Sequence, residues 1–231
     1  MYVGHFGVSL ALKKYDQSLS LGFLFIAVQL SDFLFPIFNL LGLEDARIVP
    51  GFVEASYLDL YNIPITHSFL GALFWAIATY FIFRFGFLRT SSKSQTEKSQ
   101  TSLLMGIAVF SHYVLDFLVH TPDLLIVPGI DFKVGLGLWN YYLPSILIEA
   151  VFLLGGFLIY NQVTPSGSDV SSKYGMAIFM VVLLLVNFLL VTPHPIPGIN
   201  IFGASLILVF LYLVLSGAAF WLDRLRSSTS N

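Results

Sequence analysis

The sequence predicts an all-α fold: a polytopic membrane helix bundle of about six transmembrane helices, with a short N-terminal half-helix or interfacial helix. Three observations predict it. Of the 231 residues, 57% are hydrophobic and only 10% are charged, against roughly 25% charged in an ordinary soluble domain. The mean hydropathy is +0.84. Six apolar stretches approach the about 20 helical residues that a bilayer core requires. Such a composition excludes a soluble enzyme. The formal net charge of -2 carries no nucleic-acid signal, so no nucleic-acid partner is expected. The absence of cysteine excludes disulfides, thiolate metal sites and cysteine nucleophiles. The length suits a single transmembrane domain over 1–231. Composition says nothing about oligomeric state.

The elements follow in order. Met1–Leu12 is apolar, too short to span, and ends at Lys13-Lys14. A cleavable signal peptide carries its charges before the apolar run, not after it. The segment is either an interfacial helix or a half-helix that starts deep in the bundle, which takes His5 towards mid-membrane. The expected spans are Leu21–Leu43, Ile65–Phe83, Ser102–Thr121, Tyr141–Tyr160, Gly175–Thr192 and Ile201–Leu222. Their apolar runs are continuous and do not alternate, which favours helices over barrel strands. Lys13, Lys14, Arg84, Arg89, Lys93, Lys98, Lys173, Arg224 and Arg226 fall on one set of connections, and only Arg47 and Lys133 on the other. The positive-inside rule therefore predicts two cytoplasmic termini, with the loops near 44–64, 122–140 and 193–200 facing outward. Cytoplasmic connections Arg89–Thr101 and Asn161–Lys173 and the tail Ser227–Asn231 read as flexible polar chain. The outer loops Val49–Pro64 and Asp123–Asn140 hold Pro, Gly, aromatic and acidic residues and are long enough to line a site. His194, in Thr-Pro-His-Pro-Ile-Pro-Gly, reads as part of a rigid turn. No internal repeat is visible, which argues against an inverted-repeat transporter. The last two spans, over 175–222, hold no acidic or basic residue and read as structural helices.

Three acids break the apolar rule: Asp32, Asp116 and Glu149 lie inside spans, and no Lys or Arg shares a span interior with them. A carboxylate at a helix centre costs about 2.5–3.5 kcal/mol on insertion scales. It must be protonated, wetted or neutralised by a cation. His67, His112 and His120 lie in or at the edge of the same spans. His112, Asp116 and His120 stand at i, i+4 and i+8, on one helix face. Imidazole and carboxylate one turn apart suit Zn²⁺ or another first-row metal. Topology puts these groups at one level in the outer half of the membrane. A hydrogen-bonded network without metal, and a proton relay, are the competing readings. Asp59 and His120 are candidate catalytic proton acceptors. Lys133, Trp139 and Asn140 are candidate substrate contacts, set against the ordinary reading of Trp139 as an interface-belt residue.

Residues in this order also resemble a family. Gly4-His5-Phe6, Leu30-Ser-Asp32, Thr66-His67-Ser68-Phe-Leu and Ser111-His112-Tyr-Val-Leu-Asp116 follow one another with similar spacing in the YdjM-like bacterial membrane-bound, predicted metal-dependent hydrolases. The resemblance runs from the N-terminus to about Glu149. It implies a metal centre in the region 1–160 and, through that family's likeness to zinc-dependent phospholipase C, a ligand set of His5, Asp32, His67, His112, Asp116 and Glu149. It also implies phosphoester cleavage and the bacterial cytoplasmic (inner) membrane. Leu30-Ser-Asp32-Phe-Leu stands where the family often shows Pro-Asp-x-Asp, and the third span ends in His120-Thr-Pro-Asp123 rather than in the common ending.

The expected function is a membrane-embedded metal-dependent hydrolase, its cofactor a divalent metal of the Zn²⁺ type, acting on a lipid or other phosphoester at the outer face. Membrane lipid is then both environment and candidate substrate. The alternatives are a proton- or cation-coupled transporter and a non-catalytic membrane scaffold.

Overall fold

A computed structural model describes residues 1–227, so all but the first residue of the tail read as flexible lies outside the described residues. The architecture is all-α, with eight helices among the described residues: α1 (Gly4–Leu12), α2 (Leu21–Val28), α3 (Leu30–Leu40), α4 (Phe69–Ile82), α5 (Gln95–Val119), α6 (Tyr142–Val163), α7 (Val170–Leu190) and α8 (Ile201–Ser227). Five helical stretches are long and apolar enough to cross a membrane, and the bent pair α2–α3 makes a sixth. Phe74, Phe81, Leu158, Phe188, Phe210 and Trp221 all point outward. That is what lipid, not water, tolerates as a solvent, and the chain is an integral membrane protein.

The first expected span is not one continuous helix. It breaks at Gln29, where α2 and α3 meet at 49°. Bare backbone at a mid-membrane break needs partners. Val28, the last residue of α2, gives its carbonyl to His112 Nδ1 at 2.7 Å, and the Gln29 side chain braces the break by donating from Nε2 to the Tyr2 carbonyl at 2.8 Å.

Of the two readings of the N-terminal segment, the structure has the half-helix. Every residue of Met1–Gly7 is buried. At nine residues, α1 is about 13 Å long, so its N-terminus lies within the bundle, where water cannot satisfy the orphan N–H groups of a first turn. Glu149 of α6 does so instead. Its carboxylate accepts from the backbone N–H of Tyr2, Val3 and Gly4 at 2.7–3.0 Å, and its charge suits the positive end of the helix dipole. Small residues let the two helices touch. A Cβ on Gly7 would lie 2.1 Å from the Phe152 carbonyl oxygen, and one on Gly156 would lie 2.0 Å from that of Gly7. Gly156→Leu should therefore push α1 off α6. The expected outcome is a melting temperature lowered by several degrees, read by scanning fluorimetry in detergent.

The other end of α1 corrects a second expectation. Lys13 does not lie at the cytoplasmic surface with Lys14. It is buried, and its Nζ bonds Asp223 Oδ2 at 2.8 Å and the carbonyls of Gln17 and Leu19 at 2.7 and 2.8 Å. Asp223 Oδ1 also accepts from the Tyr160 hydroxyl at 3.0 Å. The following turn is anchored by Asp16, whose Oδ2 accepts from Lys93 Nζ at 2.6 Å and from the Thr101 hydroxyl at 2.5 Å. Partial burial pushes the Asp16 carboxyl up, but the bonds from Lys93, Ser18 and Thr101 outweigh it and hold it at about 2, below its ordinary 3.8. A depressed carboxyl stabilises the fold above its unfolded value and loses that contribution as pH falls through the folded one. The stability gap between the protein and its Asp16→Asn variant should thus be constant above about pH 5 and close between about pH 4 and pH 2.

Segment 44–64 is not a loop but a hairpin. β1 (Asp45–Val53) pairs antiparallel with β2 (Ser56–Asn62). Its turn is seated on the start of α6: the Ala55 N–H donates to the Trp139 carbonyl at 3.0 Å, and Glu54 Oε2 accepts from the Tyr142 N–H at 2.8 Å. A second, two-residue pairing joins β3 (Leu124–Leu125) to β4 (Lys133–Val134). The chain then folds back on the end of α5, with Gly137 N–H on the His120 carbonyl at 2.7 Å. At Gly135 (φ +155°) a Cβ would lie 2.4 Å from the Thr121 carbonyl oxygen, so only glycine fits this approach.

Candidate metal centre

The third span builds the floor of the site. On α5, His112 and Asp116 share a face one turn apart, and His120 caps the helix. His112 Nε2 lies 3.0 Å from Asp116 Oδ2, and His120 Nε2 lies 3.5 Å from the same oxygen. Three other elements bring groups to this pair. From α1, His5 Nε2 lies 3.2 Å from Asp116 Oδ1, and the His5 ring stacks on His112 with centroids 4.1 Å apart. The Met1 nitrogen also donates to Asp116 Oδ1. From α3, Asp32 Oδ1 lies 3.3 Å from His67 Nε2 and 3.8 Å from His112 Nε2. From the segment before α4, His67 Nε2 lies 3.4 Å from His112 Nε2 and 3.9 Å from Asp116 Oδ2. Two sets have all their ligand atoms within 4.8 Å of one another: His5, His112 and Asp116, and Asp32, His67 and His112. These buried groups could hold a metal ion.

Hydrogen-bond partners assign the protons. The Val28 carbonyl can only accept, so His112 carries its hydrogen on Nδ1 and a neutral ring leaves Nε2 bare. His120 Nδ1 faces Asp123 Oδ1 at 2.9 Å and is bound in the same sense. His67 Nδ1 meets the Thr66 hydroxyl at 2.7 Å, and that hydroxyl gives its only hydrogen to Glu44 Oε2 at 2.7 Å. The hydroxyl therefore accepts from His67, whose Nε2 is bare as well. In their neutral forms these three imidazoles turn lone pairs towards two carboxylates, and the hydrogens inside the cluster come from the Met1 nitrogen and His5 Nε2, both on Asp116 Oδ1.

A pocket opens over this floor. It is lined by Asp32, His67, Asp116, His120, Trp139 and Tyr212, and walled by apolar side chains of α3, β2 and α8 such as Phe35, Leu60 and Leu208. Its cavity volume is about 60 Å³. Asp32 is the most exposed of the cluster's side chains, at 25%. Trp139 Nε1 and the Tyr212 hydroxyl are buried without a hydrogen-bond partner, so two polar groups of the pocket wall remain available.

Not every residue singled out in the sequence reaches this site. His5, Asp32, His67, His112 and Asp116 converge. Glu149 does not join their ligand atoms: both its oxygens are taken up by the first turn of α1. Asp59 sits on β2, bonded to Arg47 at 2.7 Å, and does not line the pocket. Lys133 donates to the Tyr61 carbonyl at 3.0 Å, and Asn140 turns back on the Gly137 carbonyl at 2.9 Å. Neither lines the pocket, whereas Trp139 does, its ring 4.4 Å from that of His120. The last span is more than a wall, since Tyr212 and Ser205 line the pocket and Asp223 holds Lys13. The sequence reading missed Glu44, Thr66 and the Val28 carbonyl as orienting groups. Only Thr66, adjacent to His67, carried a signal; Glu44 is brought there by the turn that leads into the hairpin.

Comparison of the chain with protein-family models, with curated proteins and with solved structures finds no match.

Proposed function

We propose that this protein is a membrane-embedded metal-dependent hydrolase of a lipid or other phosphoester, with Zn²⁺ as the best-fitting ion. The observation that carries the reading is the 3.4 Å approach of two imidazole Nε2 atoms whose hydrogens are committed elsewhere. Two bare lone pairs at that distance repel unless a cation stands between them, and Asp32 and Asp116 supply the balancing charge. Two imidazoles with carboxylates and no thiolate match Zn²⁺ or a neighbouring first-row ion.

A bound ion of this kind supplies a Lewis acid and a water of lowered pKa. The chain's residues do the rest. His120, held by Asp123, presents Nε2 to the pocket and is placed to take and return a proton. Tyr212 and Trp139 offer an O–H and an N–H to a phosphoryl oxygen. The apolar wall of α3, β2 and α8 suits the hydrocarbon part of a lipid. The distribution of basic residues supports cytoplasmic termini with the pocket on the outer side, and the family resemblance implies a bacterial inner membrane.

Elemental analysis of protein purified in detergent, together with phosphate or headgroup release from phospholipid vesicles, tests the proposal. Bound zinc and chelator-sensitive product are expected. Chelation should also lower the melting temperature, since a ligand that binds only the folded state stabilises it by mass action. A protein that holds no metal after zinc loading and releases no product overturns the reading. Ion flux into liposomes without product selects transport, and loss of stability alone in His112→Ala selects a scaffold.

A further inference from the structure

Glu44 and Thr66 stand behind the cluster, on the far side of His67 from the pocket. Both are buried, Glu44 at 1% exposure and Thr66 at 0%. Glu44 Oε1 accepts from the backbone N–H of Ile65 at 2.7 Å and of Thr66 at 2.8 Å, and Oε2 accepts from the Thr66 hydroxyl at 2.7 Å. A carboxylate has no hydrogen of its own to give, so it fixes the direction of the whole chain of bonds. The Thr66 hydroxyl must point at Glu44. Its oxygen must then accept from His67 Nδ1, 2.7 Å away. His67 is left with a bare Nε2 aimed at Asp32, His112 and Asp116.

We infer that Glu44 is a positioning residue that acts through Thr66 to fix the tautomer of His67, and so makes Nε2 a metal ligand rather than a donor. The inference rests on the metal-centre reading above. It assigns Glu44 no contact with ion or substrate. Partners behind a ligating histidine typically change metal affinity by about 10–100-fold when lost.

The geometry makes the substitution Glu44→Gln diagnostic. The amide oxygen of glutamine can still accept both backbone N–H groups. Its NH₂, however, faces the Thr66 oxygen as a donor, which turns the hydroxyl round to donate to His67 Nδ1. The ring hydrogen then moves to Nε2 and blocks the ligand atom. Shape and backbone bonds are kept while the direction of hydrogen bonding is reversed. Thr66→Val cuts the chain without reversing it, and Thr66→Ser keeps the hydroxyl.

Two measurements on the full-length protein in detergent test this. Zinc affinity is read by competition with a chromophoric chelator, and the His67 tautomer in metal-free protein is read from ¹⁵N ring shifts. Wild type and Thr66→Ser should show the Nδ1–H form and matching affinity. Glu44→Gln should show the Nε2–H form and bind zinc about 10–100-fold more weakly, with a metal-free melting temperature close to that of wild type. Thr66→Val should lose a similar factor, and it carries the test if Glu44→Gln does not fold. The inference is overturned if wild-type His67 is not in the Nδ1–H form, or if folded Glu44→Gln or Thr66→Val protein binds zinc as wild type does. Wild-type protein that takes up no zinc, while showing the Nδ1–H form that Glu44→Gln reverses, sinks the metal-centre reading and leaves the tautomer control standing.

Discussion

Asp116→Ala should abolish zinc uptake and lipid hydrolysis together. Asp116 is the hub of the cluster: Oδ1 receives His5 and the Met1 nitrogen, and Oδ2 faces His112 and His120. Asp32, the other acid of the cluster among the described residues, faces His67 and His112 from the pocket side and reaches neither His5 nor His120 in its contacts. The expected loss of zinc affinity exceeds the about 10–100-fold typical of an outer partner, and product formation should fall to the level of vesicles without enzyme. Asp116→Asn separates charge from shape. It keeps one acceptor oxygen, and it should fold better than the alanine variant while still failing to hold the ion. Zinc content per chain by elemental analysis checks both. A metal-replete Asp116→Ala protein would remove Asp116 from the centre.

The second large effect belongs to a residue that, for all its burial and charge, is not in the centre. Glu149→Ala should unseat α1. Three backbone N–H groups would lose their acceptor in a place that water does not reach. At about 1–3 kcal/mol for each stranded buried donor, the cost is roughly 3–9 kcal/mol, comparable with the whole stability of many domains. Glu149→Gln retains an acceptor oxygen and should cost far less. The readout is protection of α1 amides in hydrogen exchange, together with the midpoint of denaturation in detergent. Because α1 also carries His5, zinc affinity should drop in Glu149→Ala as a consequence. If α1 stays protected in the alanine variant, the carboxylate is not what holds the half-helix.

These two residues show what could be read from sequence and what could not. Mid-span acids next to histidines marked a polar cluster, because hydrocarbon makes such residues costly whatever the fold. The i, i+4 spacing of His112 and Asp116 placed them on one face, because helix periodicity is local. Function within the cluster was not local. Asp116 and Glu149 look alike in sequence, yet one meets imidazoles from three segments and the other meets the first turn of α1. The break at Gln29 was hidden for a similar reason. Leu21–Leu40 is mostly apolar and carries no glycine or proline at the break itself, and the kink is held by His112 and Tyr2 from distant parts of the chain. The hairpin reads as a loop in sequence because its seating on the Trp139 carbonyl and the α6 start is a tertiary contact. Lys13 reads as a surface residue in sequence because its partner, Asp223, is 210 positions away.

The half-helix has a consequence for how the protein is made. α1 leaves the ribosome before everything it docks on: Asp116 on α5, the Glu149 acceptor and the Gly156 notch on α6, and Asp223 near the end of α8. Chains are built and inserted from the N-terminus, so order of synthesis and order of assembly run in opposite directions. Until α6 is in place, the segment has no acceptor for its first turn and must wait at the membrane surface, where its apolar residues and lysines are at ease. Meanwhile α5 and α6 enter the bilayer with their acids uncapped. Final insertion of α1 therefore completes the bundle and the candidate metal centre in one step, and a nascent chain stalled before Glu149 has no competent site.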